Sequence, residues 1–136
     1  MMPKILLVDD DTNYRKLIKE TLCLSLPSLC VKEAGDGEEA IRLAGEHPGL
    51  IDLLITDVKM PGASGFEVAR TLARKWEGMK TLFISGYAQE LADGIENLPP
   101  GARFLPKPFA RSEFLQNVNA LLPGRVRGAA AKSSGT

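Results

Sequence analysis

The sequence predicts an α/β protein whose parallel β-sheet is doubly wound, with helices on both faces. Five short apolar segments rich in branched side chains alternate with segments that carry apolar residues at helical spacing. The chain has 136 residues, 44% of them hydrophobic and 25% charged, which suits one globular domain with a sound core. Right-handed crossovers place the carboxyl ends of parallel strands at one edge of the sheet, so residues that end the strands should meet there.

The first predicted elements are a short apolar strand and an amphipathic helix. The strand covers 4–8, and the acidic run 9–11 ends it. Asp11 or Thr12 should cap the helix, because short side chains with an oxygen accept the free N–H groups of a first turn. The helix should bury the apolar residues at helical spacing, namely Tyr14, Leu17, Ile18 and Leu22. A second strand is predicted over 29–34.

Two further helices flank the third predicted strand. The second helix covers 38–46, and its inner face should carry Ala40, Ile41 and Ala44. The third strand, 53–57, is a continuous apolar run that ends in a single carboxylate, as expected of a strand buried on both faces. Pro61 and Gly62 then break the chain. A third helix should start after Ser64 and bury Phe66, Val68, Ala69 and Leu72, with Trp76 near its end.

The next segment predicts two strands separated by a weak helix. The fourth strand covers 81–85 and the fifth covers 102–105. Between them, 87–98 is a poor helix because Gly94 in its interior costs about 1 kcal/mol relative to alanine. A helix of such low intrinsic stability is the part of the domain that we expect to move.

A closing helix is predicted over 112–122, capped by Ser112 and with Glu113 in its first turn. Its inner face should carry Phe114, Leu115, Val118, Leu121 and Leu122. The segment 124–136 is small and polar with three basic residues, which predicts a disordered tail. We therefore expect one domain over 1–123 and a disordered tail over 124–136.

Charge and cysteine usage exclude several classes of function. The 17 basic and 17 acidic residues give a net charge of zero, which argues against non-specific nucleic-acid binding. No apolar run is long enough to span a membrane, and the early acidic run is unlike a secretory signal, so we expect a cytoplasmic protein with no membrane partner. Cys23 and Cys30 show no metal-binding spacing and are interpreted as buried free thiols in a reducing compartment.

The residues that end the predicted strands carry the chemistry. Asp9, Asp10, Asp57, Ser85 and Lys107 all follow or end an apolar strand. At about 5 Å and an effective dielectric constant of about 20, each pair of like charges costs roughly 3 kcal/mol. A hard divalent cation with oxygen ligands, such as Mg²⁺, relieves this repulsion. A metal site, an ammonium and a hydroxyl around one carboxylate are the groups that phosphoryl transfer to an Asp oxygen requires.

Four segments together resemble the receiver domain of two-component response regulators. They are Leu-Val-Asp9-Asp10, Ile-Thr-Asp57-Val-Lys-Met-Pro-Gly, Phe-Ile-Ser85-Gly and Pro-Lys107-Pro-Phe. The resemblance runs from about residue 4 to residue 122, and the combination of the four segments is highly specific. It implies a flavodoxin-like (βα)₅ fold with strand order 2-1-3-4-5.

The resemblance also implies a phosphoacceptor and its metal site. Asp57 would take a phosphoryl group from a kinase phosphohistidine in a Mg²⁺-dependent reaction, for which Mn²⁺ could substitute. Asp9, Asp10 and Asp57 would hold the cation together with the backbone carbonyl of Lys59. Apart from this self-directed phosphotransfer and a slow autodephosphorylation, no enzyme activity is expected.

The resemblance further implies a phosphoryl-binding pair and a conformational switch. Ser85 and Lys107 would bind the phosphoryl oxygens, and the Lys107–Pro108 bond would be the cis peptide of the family. Phosphorylation would draw the Ser85 hydroxyl inward and let Phe104 turn into the space behind it. Serine and phenylalanine replace the more frequent threonine and tyrosine at the two switch positions, so the donor is kept but the aromatic ring has no hydroxyl.

The resemblance implies partners as well. The phosphodonor would be a sensor histidine kinase or a phosphotransfer domain. A phosphorylation-dependent homodimer is a further expectation, with the last two helices and the last strand as its contact surface. The runs at 85–88 and 100–109 resemble receivers fused behind histidine kinases as well as free-standing ones, and the lack of an effector domain favours either a single-domain shuttle or a fragment.

Two other functions are compatible with parts of the sequence. Asp9-x-Asp11-Thr12 imitates the nucleophile motif of haloacid dehalogenase-type enzymes, but that class needs further acidic metal ligands and leaves the segment 57–62 unexplained. A receiver fold that docks partners without phosphorylation is the second alternative, and no sequence feature favours it because every site residue is present.

Lys59 and Tyr87 each lie two residues after a site residue, at positions that tune the lifetime of the phosphoryl group in the family. We predict that Tyr87→Ala shortens the lifetime of the phosphoryl group on Asp57, because the ring shields the acyl phosphate from water. The loss of label from purified phosphoprotein measures this lifetime. An unchanged lifetime would refute the shielding role.

Overall fold

A computed structural model describes residues 3–46, 49–86 and 101–122. Its five strands are β1 (Lys4–Val8), β2 (Cys30–Ala34), β3 (Leu53–Asp57), β4 (Lys80–Ser85) and β5 (Arg103–Pro106). They form one parallel sheet in the order β2-β1-β3-β4-β5. The parallel sheet and its strand order confirm the predicted fold class.

Four helices lie within the described residues. They are α1 (Thr12–Ser25), α2 (Gly37–Glu46), α3 (Gly65–Lys75) and α4 (Arg111–Leu121). The helix predicted over 87–98 and the tail predicted over 124–136 lie outside the described residues, so both stay predictions, as does the domain boundary at 123. Where the sequence predicted both ends of an element, the observed ends differ by no more than one residue.

Successive residues of β1 point into two different apolar clusters. Leu6 and Val8 pack with residues of α2 and α3, whereas Ile5 and Leu7 pack with residues of α1 and α4. Because side chains alternate across a strand, the two clusters lie on opposite faces of the sheet. The sheet is therefore covered on both faces, which explains why its strands read as continuous apolar runs.

The first and third described helices begin where the sequence predicted, and each has a side-chain cap. The Asp11 side chain accepts the Tyr14 N–H at 3.1 Å and caps α1. Ser64 caps α3 by accepting the Glu67 N–H at 3.2 Å, while the Glu67 carboxylate accepts the Ser64 N–H in return. This reciprocal pair satisfies two N–H groups that the helix itself leaves free.

The predicted cap of the closing helix was wrong. The helix starts at Arg111, so Ser112 lies inside the first turn and Ala110 occupies the capping position. Ala110 has no side-chain acceptor, and instead the Glu113 carboxylate accepts the Ala110 N–H at 3.0 Å. Glu113 therefore binds the N–H of the capping residue, and the side-chain cap predicted for Ser112 is not formed.

Two predictions of burial on α1 were also wrong. Leu17 is 56% exposed, because Tyr14, Ile18 and Leu22 recur every fourth residue and already fill the stripe that faces the sheet. Cys23 follows Leu22 by one residue, which turns it about 100° around the helix into solvent. Cys30 lies on the edge strand β2 and is half-buried. The prediction that both thiols are buried was therefore wrong.

Within the described residues, no helix is both long enough and apolar enough to cross a lipid bilayer.

Gly65 brings the start of α3 against the end of β3. Its N–H donates to the Val58 carbonyl at 2.8 Å. A Cβ added to Gly65 would lie 2.1 Å from the Asp57 carbonyl oxygen and 3.1 Å from the Val58 Cα. Both obstacles are backbone atoms, so only glycine permits this approach.

We predict that Gly65→Ala lowers the free energy of unfolding by about 1–3 kcal/mol, because backbone must shift to admit the new methyl group. Gly45→Ala is the matched control, since a Cβ at Gly45 of α2 meets no atom within 4 Å. It should leave stability unchanged or raise it by up to about 1 kcal/mol. Urea denaturation of both variants measures the difference, and equal stabilities would contradict the close-approach explanation.

Candidate functional site

Three carboxylates converge where β1 and β3 end. These strands are neighbours, and Val8 lies opposite Thr56, so the residues that follow, Asp9 and Asp57, face the same edge. Asp9, Asp10 and Asp57 each offer a carboxylate oxygen, and these oxygens lie within 4.8 Å of one another. Asp9 is buried, Asp57 is half-buried and Asp10 is exposed. The structure thus brings together the three acids that the sequence singled out.

Lys107 reaches this cluster from the end of the last strand, two strands away from β3. It follows β5, and its ammonium lies 3.5 Å from Asp57 Oδ2. Its backbone N–H donates to the Ser85 carbonyl at 2.7 Å, which ties the loop after β5 to the end of β4. The Lys107–Pro108 peptide is cis, as the resemblance implied.

Ser85 ends β4 beside the acidic cluster. Asp57 lies opposite Ile84 in the register of β3 and β4, so Ser85 follows one residue beyond that pair. Its side chain is buried, with 1% of its surface exposed. Asp57 Oδ1 accepts the Val58 N–H at 2.8 Å, which orients the carboxylate at this edge. Ser85, Asp57 and Lys107 therefore belong to one group of residues at the carboxyl edge.

The acidic cluster perturbs its own protonation. Burial, and then the charges of Asp57 and Asp10, raise the pKa of Asp9 from 3.8 to about 6, although the Asp11 N–H at 2.9 Å and the Lys107 ammonium oppose the shift. Burial also raises the pKa of Asp57, against the lowering effects of Lys107 and the Val58 N–H. Burial is the main cause of both shifts, and the Lys107 ammonium and the backbone N–H groups offset it only in part.

The cluster fits a small divalent cation. Mg²⁺ prefers oxygen ligands in an octahedron at 2.0–2.1 Å, which puts opposite ligand atoms roughly 4.2 Å apart. The carboxylate oxygens of Asp9, Asp10 and Asp57 span a similar distance, so the three side chains could share one ion with water filling the other positions. Lys59 is exposed in the loop after β3, and the predicted role of its carbonyl as a ligand stays a prediction.

Phe104 lies behind the site in a group of aromatic rings. It is half-buried on β5 and stacks on Phe83 of β4, with ring centroids 5.2 Å apart and an angle of 26° between the planes. Phe66 meets Phe104 edge to face at 6.1 Å. Tyr87, the predicted lifetime residue, lies outside the described residues.

Two residues that touch the site were not among the sequence-predicted site residues. The Tyr14 ring lies beneath Lys107, with its centroid 4.3 Å from the ammonium nitrogen. The Arg15 guanidinium donates to the Asp9 carbonyl at 2.7 Å and to Glu33 at 3.2 Å. Both lie in the first turns of α1. Because this helix begins directly after the acidic run, its position in the sequence could have indicated that these residues lie next to the site.

Burial and the nearby acidic cluster both affect the pKa of the Tyr14 hydroxyl. Burial, followed by the negative charges of Asp9 and Asp57, raises the pKa of the Tyr14 hydroxyl to about 12. The phenol therefore stays neutral at physiological pH and presents an uncharged ring to the ammonium.

The fold and the site define a flavodoxin-like α/β domain with an acidic cluster and a lysine at the carboxyl edge of its sheet. The profile of the response regulator receiver domain matches residues 5–119. The chain belongs to this family, whose members are the signalling phosphoacceptors of two-component systems. This membership supports the receiver interpretation over the dehalogenase-type alternative.

Named relatives include both kinases and regulators. The chain is 33% identical over 120 residues to the sensor kinase CckA of Brucella abortus, which covers 87% of this chain and 12% of CckA. It is 36% identical over 124 residues to the response regulator MprA of Mycobacterium ulcerans, covering 90% of this chain. The chain thus spans about half the length of MprA, of which it covers 51%.

Among solved structures, the response regulator TrrA of Thermotoga maritima, in complex with Mg²⁺ and BeF, matches with a TM-score of 0.76. The two chains are 32% identical, and the match covers 89% of this chain and all of TrrA. Receiver domains bind Mg²⁺ at an acidic pocket, and the cluster of Asp9, Asp10 and Asp57 is the corresponding feature of this chain.

We predict that Asp9→Asn stabilises the metal-free protein at pH 7 by about 1–3 kcal/mol, because it removes a buried charge whose pKa is raised from 3.8 to about 6. The folded state disfavours the charged form, so this gain is complete above pH 6. It should fade as pH falls from 6 and disappear below 3.8, where Asp9 becomes protonated in both the folded and the unfolded state. Urea denaturation in EDTA measures the gain.

The same variant should lose the stabilisation that added Mg²⁺ gives the unaltered protein. Asp36→Asn is the matched control, since Asp36 caps α2 by accepting the Glu39 N–H at 2.7 Å, and asparagine caps equally well. It should keep the full response to Mg²⁺. A destabilised Asp9→Asn protein in EDTA, or one with an unchanged response to Mg²⁺, would contradict the charge-cluster explanation.

Proposed function

We propose that Asp57 takes a phosphoryl group from the phosphohistidine of a sensor histidine kinase or a phosphotransfer domain. The observation that carries this proposal is the position of the Asp57 carboxylate, which lies between the two N-terminal acids and the Lys107 ammonium. Its half-buried setting keeps the carboxylate reachable by a donor. CckA, a relative, is named a sensor kinase, and MprA is named a response regulator, which fits a donor of this class.

The transfer balances as a single displacement at phosphorus. A lone pair of an Asp57 carboxylate oxygen forms the new P–O bond while the P–N bond of the phosphohistidine breaks. The phosphohistidine ring reacts protonated on its other nitrogen, so the electron pair of the broken bond neutralises the ring and histidine leaves uncharged. The product is an acyl phosphate on Asp57.

The surrounding residues stabilise the charge on the transferred group. The Lys107 ammonium and the Ser85 hydroxyl bind phosphoryl oxygens, and their charge-assisted bonds strengthen as negative charge develops. Asp9, Asp10 and Asp57, with the Lys59 carbonyl, would hold Mg²⁺ or Mn²⁺. The cation supplies positive charge to the phosphoryl oxygens and relieves the repulsion between carboxylates.

Phosphorylation is then coupled to a switch through Ser85 and Phe104. An anion on Asp57 draws the Ser85 hydroxyl towards it, and Ser85 lies two residues after Phe83, on which Phe104 stacks. Space that opens behind β4 becomes available to the Phe104 ring. Moving the equilibrium from 1:99 to 99:1 needs about 5.5 kcal/mol of differential interaction, which several charge-assisted bonds can supply.

We predict that acetyl phosphate or phosphoramidate with Mg²⁺ adds the mass of one phosphoryl group to the protein, and that Asp57→Asn abolishes the gain. Intact-protein mass spectrometry measures both. Asp52→Asn is the matched control: Asp52 directly precedes β3, accepts the Lys4 N–H at 2.8 Å and lies at the opposite end of the strand from Asp57. It should be phosphorylated like the unaltered protein.

Two outcomes would contradict the proposal. A mass gain that persists in Asp57→Asn and maps to Asp9 would favour the dehalogenase-type alternative. A protein that gains no mass from any donor, yet binds partners unchanged, would favour the phosphorylation-independent docking module.

A further inference from the structure

The Lys107 ammonium lies between two groups of different chemistry. On one side Asp57 Oδ2 lies 3.5 Å away, and on the other the Tyr14 ring centroid lies 4.3 Å away. The negative face of an aromatic ring attracts a cation at this distance, and most strongly where water is partly excluded. The lysine side chain is 27% exposed and that of Asp57 is 14% exposed, so this edge is partly shielded from solvent.

The Tyr14 ring is held in place from two directions. The backbone N–H of Tyr14 donates to the Asp11 side chain at 3.1 Å, in the cap of α1. The ring packs edge to face on Phe109 at 6.2 Å, and Phe109 stacks on Phe114 at 5.7 Å. Phe114 is fully buried in the core between α1 and α4. The ring is thus connected by aromatic contacts to a rigid part of the domain.

The geometry points to Tyr14 as a positioning residue for phosphoryl transfer, whose ring holds the Lys107 ammonium beside Asp57 before the donor arrives. This inference rests on the proposed function of Asp57. The ring makes and breaks no bond in the displacement, and it touches the lysine rather than the reacting atoms.

The inferred role follows from the freedom that lysine otherwise has. A lysine side chain is long and flexible, and ordering it for each transfer costs conformational entropy. A ring that already holds the ammonium near the acceptor removes part of that cost from the transfer step. The ring stays neutral because of its high pKa, so it attracts the ammonium without forming an ion pair that would compete with the phosphoryl group.

The test compares Tyr14→Phe with Tyr14→Leu. Phenylalanine keeps the ring and loses only the hydroxyl, whereas leucine keeps apolar bulk but offers no π face. With phosphoramidate as donor and saturating Mg²⁺, Tyr14→Leu should be phosphorylated roughly 2- to 30-fold more slowly than the unaltered protein, the factor expected of one partly buried cation–π contact. Tyr14→Phe should retain most of the rate. A small-molecule donor separates this chemistry from the docking of a kinase.

Leu17→Ala is the matched control on the same helix. Leu17 lines the groove between α1 and the loop after β5, but it is largely exposed and has no part in the ammonium contact. Its substitution should leave the phosphorylation rate unchanged. A rate lowered equally in Leu17→Ala and Tyr14→Leu would overturn the inference, since general loosening of the groove would then explain both.

A second measurement uses the unphosphorylated protein, and its first readout comes from the unaltered chain. In its NMR spectrum, the side-chain ε-methylene protons of Lys107 should be shifted upfield by the ring current of Tyr14, relative to those of exposed lysines. The shift should persist in Tyr14→Phe and vanish in Tyr14→Leu. Unshifted Lys107 protons in the unaltered protein would overturn the inference.

The two measurements separate failure of this inference from failure of the proposed function. If the unaltered protein is phosphorylated on Asp57 but Tyr14→Leu reacts at the same rate, the positioning role is refuted and the proposed function stands. If no phosphorylation occurs while the upfield shift is present, the contact exists but has no transfer to serve, and both proposals fall.

Discussion

Repulsion between three carboxylates at one edge of a sheet is the constraint on which the site depends. The carboxylates of Asp9, Asp10 and Asp57 lie within one cation-sized cluster, and burial raises the pKa values of Asp9 and Asp57 even though Lys107 lies nearby. A protein gains nothing in stability from such an arrangement. The cluster can serve a function only when a cation binds at this edge and an anionic group then binds to the positive charges there.

The rest of the fold supplies the stability that the acidic edge lacks. The strands are buried on both faces by two separate apolar clusters, so their ends are held at fixed positions. At Gly65 the start of α3 lies directly against the Asp57 carbonyl, leaving no room for a side chain. The Asp57 carboxylate is therefore carried on backbone that is held by the strand before it and by the start of α3 after it, and such fixed placement is what the proposed chemistry requires.

Parallel topology explains which parts of the site could be predicted from the sequence. Asp9, Asp57 and Lys107 were found because each ends or follows an apolar strand, and strand ends share an edge whatever the side chains around them. Tyr14 was assigned to the core because its spacing is that of an inward helical face. Only the register between α1 and the loop after β5 shows that this inward ring also meets an ammonium. The cap of α4 was assigned to Ser112 in error, because the sequence does not fix a helix end to within one residue.

Lys107 connects the acidic cluster to the end of β4. Its ammonium contacts Asp57 and the Tyr14 ring, whereas its backbone N–H donates to the Ser85 carbonyl at 2.7 Å. Any displacement of Ser85 at the end of β4 therefore acts on the same residue that contacts Asp57. Since Ser85 belongs to the strand on which Phe104 packs, Asp57, Lys107, Ser85 and the aromatic rings of Phe83 and Phe104 form one contiguous set of contacts. A new anion on Asp57, as proposed, would lie next to Lys107, whose ammonium also contacts the Tyr14 ring.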